Sequence, residues 1–206
     1  MNNPRANIVT SQPLLAAAMM FTGAALVCAI VLKTTLAIMI PCLGLFAAVV
    51  FALKWRTSAP KQRERMWSQI KIGTLAGILG TIGYDLSRYL LVHIAAWHMT
   101  PFAALPLFGQ LLLGNGASPT ARLFAGTGYH VANGVAFAIA YTFAFGGRLW
   151  LFGVLWALGL EAAMFTLYPG WLDLSAVMRE FTIMSILGHV VYGTIIGNVS
   201  QRLDKR

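Results

Sequence analysis

The chain has 206 residues, of which 58% are hydrophobic and only 10% charged. A soluble domain carries about 25% charged residues, so this composition cannot cover a water-facing surface and excludes a soluble globular protein. The formal charge of +9 would suggest nucleic acid in a soluble chain, but here the basic residues lie between apolar runs. In that setting they report membrane orientation and contact with anionic head groups, and no nucleic-acid partner is expected.

The expected architecture is all-α: a polytopic membrane bundle, one integral domain over residues 1–206, with six spans. Their approximate bounds are 13–32, 35–53, 70–93, 124–146, 149–168 and 181–200. Each is near the roughly 20 residues that cross about 30 Å of hydrocarbon. The first follows Arg5 and is too long, and too poor in small residues at its end, to be a cleaved signal peptide, so it reads as a retained helix. Cys28 and Cys42 fall in apolar runs, match no metal-ligand spacing and read as core fillers. A tight hairpin at Lys33 leads into the second span.

Between the second and third spans lies KWRTSAPKQRER, residues 54–65, the most charged stretch in the chain. With Arg5, Arg148 and the terminal QRLDKR it gathers positive charge on one side, against Lys33, Arg122 and Arg179 on the other. Both termini are therefore expected in the cytoplasm. The connection 94–123 contains PFAALPLFGQLLLG, which is apolar but interrupted by Pro101, Pro106 and Gly109. Such a segment is too short to span and reads as an interfacial or re-entrant piece over about 100–115 on the outer side, either a lid or a partly buried structural loop. His93 and His98, beside Trp97, read as interfacial anchors rather than ligands.

The third span carries GTIGYDLSRYLLVH, residues 80–93, which sets Asp85 and Arg88 at an i, i+3 spacing on one helix face, close enough to pair. An unpaired charge at mid-bilayer costs at least about 2.5–3.5 kcal/mol, so pairing lets the helix insert. It does not explain why the charges are there, since two leucines insert at no cost. The fourth span opens with GYHVANG, placing His130 and Asn133 one turn apart. The fifth carries a lone acid, Glu161, and the sixth a stripe of Ser185, His189, Tyr192 and Gly193.

At about 1.5 Å per residue and with successive helices antiparallel, Asp85 lies roughly 8 Å below one edge of the apolar zone, His130 roughly 9 Å, Asn133 roughly 13 Å, and Glu161 and His189 roughly 12 Å. All four helices deliver polar groups to one layer. A common intramembrane site of Asp85, Arg88, His130, Asn133, Glu161, His189 and Tyr192 follows. The competing account is independent helix–helix hydrogen bonds, worth about 0.6 kcal/mol each. Glycines at 73, 77, 80 and 83 in the third span, and at 188, 193 and 197 in the sixth, predict close helix packing or self-association through the third span.

Residues 124–199 resemble the YagU-like inner-membrane proteins and neighbouring small bacterial families. The likeness rests on His130 and Asn133 early in a helix, the Leu149–Trp150 helix start, a turn at Pro169 and the Gly188–His189 motif. It implies a bacterial inner-membrane location, and no activity is settled for those families.

Three functions fit such a site. The first is handling of a proton, ion or small solute by a homo-oligomer or a subunit of a larger complex, with Asp85, Glu161, His130 and His189 as exchangeable groups. The second is an intramembrane enzyme acting on a lipid or isoprenoid, with a histidine as general base and Arg88 holding a phosphate. The third is a haem-binding or assembly subunit with His130 and His189 as axial ligands. A metal held by His130, His189, Asp85 and Glu161 has a suitable donor set for zinc or iron but none of the usual ligand spacings. The sequence leaves cofactor and catalytic residues open.

Overall fold

The computed structural model describes residues 12–172 and 174–204. Arg5, Lys205 and Arg206, counted above toward the basic end, lie outside them. The described chain is all-helical: α1 (Pro13–Met19), α2 (Phe21–Val31), α3 (Leu36–Thr57), α4 (Pro60–Ile94), α5 (Ala104–Leu113), α6 (Pro119–Phe145), α7 (Leu151–Phe165), the short α8 (Tyr168–Trp171), a 3₁₀ turn at Ser175–Val177 and α9 (Met178–Leu203). Proline opens α1, α4 and α6, where its missing N–H needs no partner, and the Ser118 hydroxyl caps α6 by accepting from the Ala121 amide at 3.2 Å. Gly146, at φ +55°, ends α6.

Two helices, Leu36–Thr57 and Ser175–Leu203, are both long and apolar enough to cross a membrane, and α1 with α2 makes a third if the bent pair counts as one span. This pair corrects the first expected span. Residues 13–32 are not one rod but two helices meeting at 51°, because around Met20 the backbone tightens and the Met20 amide bonds to Ala17 three residues back. The charged stretch 54–65 is largely helical rather than loop. Only Ser58 and Ala59 separate α3 from α4, and Arg63 turns back to give the carbonyls of Trp55 and Arg56 donors at 2.8 and 3.0 Å.

Glycines set the packing. A β-carbon on Gly73 or Gly77 would come within 2.6 Å of the α6 backbone at Ile139 or Val135. One on Gly80 or Gly83 would strike Ile196, Tyr192 or Ile195 of α9. All four glycines of α4 thus face neighbours within this chain, the close packing expected of the third span. Gly153, Gly193 and Gly197 bring α7 and α9 into backbone contact in the same way. At the end holding residues 58–69, Gln69 joins α4 to α6: its amide donates to the Thr142 carbonyl, and the Thr142 hydroxyl donates to the Gln69 carbonyl, each at 3.0 Å.

The helix α3 is peripheral, with Leu45, Phe46 and Leu53 among its exposed apolar residues. Cys42 is exposed there and Cys28 is half-buried, so the reading of both as core fillers fails; both are free thiols. The connection 94–123 folds as α5 lying against α6, where Gly109 and Gly126 let the two backbones touch. The loop before α5 is clasped to the start of α9, since the Met99 amide donates to Glu180 at 3.0 Å. His93 and His98 are exposed near the same end.

Candidate functional site

The groups singled out on α4, α6, α7 and α9 come together, but in two pairs rather than one ring. His130 Nε2 lies 3.0 and 3.1 Å from the two carboxylate oxygens of Asp85, joining α6 to α4. His189 Nδ1 lies 3.0 Å from Glu161 Oε2, joining α9 to α7. The second contact is not a formed hydrogen bond: His189 Nδ1 is also 2.9 Å from the Ser185 carbonyl and bonds there. Both oxygens of Glu161 are then buried without a hydrogen-bond partner, on a residue only 1% exposed.

A residue missed in the sequence connects the pairs. The Tyr84 ring packs edge-on to His189, with centroids 5.0 Å apart, and lies 5.9 Å from His130 on its other flank. Arg88 does not pair with Asp85 as expected. Its guanidinium sits 4.8 Å over the Tyr84 ring, and its buried Nε has no partner. The i, i+3 geometry brought the two residues near each other, but His130 offers Asp85 a cross-helix partner without bending either long side chain back along the helix. Only the i, i+4 spacing from Tyr84 to Arg88 on the same helix could have signalled the stack.

These side chains bound a cavity of about 890 Å³, counting its open mouth. Its polar wall is formed by Tyr84, Arg88, His130, Asn133, His189 and Tyr192. Apolar residues of the 99–103 loop, with Ala104, Leu105 and Phe108 of α5, also line it. Asp85 and Glu161 stand behind their histidines and do not line it. Tyr192 is held by its hydroxyl donating to the Gly134 carbonyl at 2.6 Å, and Asn133 keeps a buried, unpartnered Oδ1. Such a wall is rich in donors, with one cation that no carboxylate neutralises among the described residues.

The four metal candidates divide accordingly. Among the described residues no three His, Cys, Asp or Glu side chains come together, because Tyr84 separates the Asp85–His130 pair from the Glu161–His189 pair. The proposed ligand set of His130, His189, Asp85 and Glu161 is therefore not assembled. Comparison with models of known families, with curated proteins and with solved structures finds no match.

Proposed function

We propose that this chain is a multi-pass protein of the bacterial inner membrane that couples proton exchange to the binding of a small anionic solute in the cavity between α4, α6 and α9. The observation that carries the reading is the arrangement of two imidazoles on the cavity wall, each backed by a carboxylate. An imidazole so placed accepts a proton from the cavity on its free nitrogen, Nδ1 of His130 or Nε2 of His189. The carboxylate behind stabilises the resulting imidazolium. Arg88 supplies the fixed positive charge for the solute.

Six crossings, by α1 with α2, α3, α4, α6, α7 and α9, underlie the reading. The shortest, α7, has 15 residues and is only about 22 Å long, so it fits where neighbouring helices thin the apolar layer. Lys54, Arg56, Arg63, Arg65, Arg148 and Arg202 gather at the helix ends opposite the 99–105 segment, which supports cytoplasmic termini. The resemblance of residues 124–199 to YagU-like proteins supports the same membrane. A chain this small also suits assembly as a homo-oligomer or as a subunit of a larger complex.

The test is proton movement into proteoliposomes that enclose a pH-sensitive dye. An acid pulse in the presence of inorganic phosphate should equilibrate faster than in protein-free vesicles, and His130→Ala and His189→Ala should each remove the difference. Equal rates with and without the wild-type protein would overturn the reading.

A further inference from the structure

A second cavity, of about 730 Å³ with its open side, lies between α2, α6 and α7. Its own wall is hydrocarbon: Gly23, Ala24, Val27 and Ile30 of α2 face Ala163 of α7. It shares Asn133, Phe137, Leu160 and Met164 with the polar cavity, so the two adjoin at these residues. The break at Met20 and the weak contact between α6 and α7 leave this space unfilled, whereas glycines bring α4 close to α6 and α9, and α9 close to α7. An apolar volume next to a chamber holding an unneutralised guanidinium matches a molecule with the same division: a phosphate at one end and a hydrocarbon chain at the other.

We infer that the solute is a single-chain amphiphilic phosphate, its head at Arg88 and its chain in the α2–α6–α7 cavity, with Phe137 and Leu160 between. Its source is the bilayer itself. The inference rests on the proposed solute site but adds the chain, and the two are separable. Ala163 and Ala24 border only the apolar cavity, so Ala163→Trp and Ala24→Trp fill it from opposite sides and leave Arg88 and both histidines in place.

Binding to the purified full chain in neutral detergent is measured by calorimetry with four probes: an acyl lysophosphatidic acid, a prenyl monophosphate of similar length, a neutral monoacylglycerol and inorganic phosphate. Both chain-bearing phosphates should bind at least tenfold more tightly than inorganic phosphate or the neutral lipid, and whichever is tighter identifies an acyl or a prenyl source. Each tryptophan variant, checked for a wild-type melting transition, should lower the chain-bearing affinities to the level of inorganic phosphate and leave that level unchanged. Arg88→Gln should weaken all three phosphates. Wild-type protein that binds inorganic phosphate as tightly as the amphiphiles would overturn the inference, as would tryptophan variants that bind them unchanged. Either result with proton exchange intact in proteoliposomes leaves the solute reading standing.

Discussion

Replacing Glu161 should make this protein more stable, not less. The residue is 1% exposed, neither carboxyl oxygen has a hydrogen-bond partner, and His189 Nδ1, 3.0 Å away, is already bonded to the Ser185 carbonyl. A buried acceptor left unsatisfied costs about 1–3 kcal/mol. Glu161→Met keeps the side chain's length, removes both orphan oxygens and leaves His189 its bond to Ser185. The expected gain is about 1–3 kcal/mol, offset in part by loss of the 3.0 Å approach to the imidazole. At about 2–4 °C per kcal/mol for a chain of this size, the melting temperature should rise by several degrees. The assay is thermal unfolding in detergent, followed by intrinsic tryptophan fluorescence. Asp85→Asn is the contrast: Asp85 holds His130 through both oxygens, and its replacement should lower the melting temperature. A drop for Glu161→Met as large as that for Asp85→Asn would refute the reasoning. It would mean that the His189 contact outweighs the unsatisfied oxygens.

Two further outcomes follow from packing and charge. Gly77→Ala puts a β-carbon 2.6 Å from Val135 Cα, so α4 and α6 must part by about 1 Å to reach ordinary contact, and the variant should lose about 1–3 kcal/mol. Gly128→Ala, which meets nothing within 4 Å, should gain about 0.5–1 kcal/mol, and equal melting temperatures for the two would contradict the seam. At the basic end, burial pushes the Asp204 carboxyl above its usual 3.8, against the pull of Arg65 and a hydrogen bond from Gly147. Below 3.8 the group is protonated folded or unfolded and costs nothing, so stability should fall as pH rises through the raised value. Asp204→Asn should abolish that fall in melting scans across the acid range. An unchanged slope would sink the assignment.

Helix positions were largely legible because long apolar runs can do little else, and α3 and α9 fall close to the expected spans. The bend at Met20 was not, since no proline or glycine marks it and the cause is a backbone hydrogen bond that only the folded chain displays. In the site, residue types and helix faces were readable from spacing: His130, Asn133, Glu161, His189 and Tyr192 all turn toward one region. Partnership was not readable. The sequence pairs Asp85 with its neighbour Arg88, while the fold offers His130 from another helix. Tyr84 passed unnoticed because an aromatic on an apolar helix looks like filler, although its ring lies against both imidazoles. The glycines predicted closeness but not with whom, since small residues dock on a neighbour in the same chain as readily as on a second copy.

The glycine seams have a consequence for motion. With α4 locked to α6 and α9 locked to α7 by backbone contact, and Gly80 and Gly83 of α4 set against α9 side chains, those helices must travel as rigid groups; sliding within a backbone seam would drive main chain into main chain. The compliant joint is on the other flank, where α2, bent away from α1, stands across an unfilled gap from α7. Under the proposed proton exchange, any movement that turned the two imidazoles to the other side of the bundle would pivot there, with the kink at Met20 as its elbow.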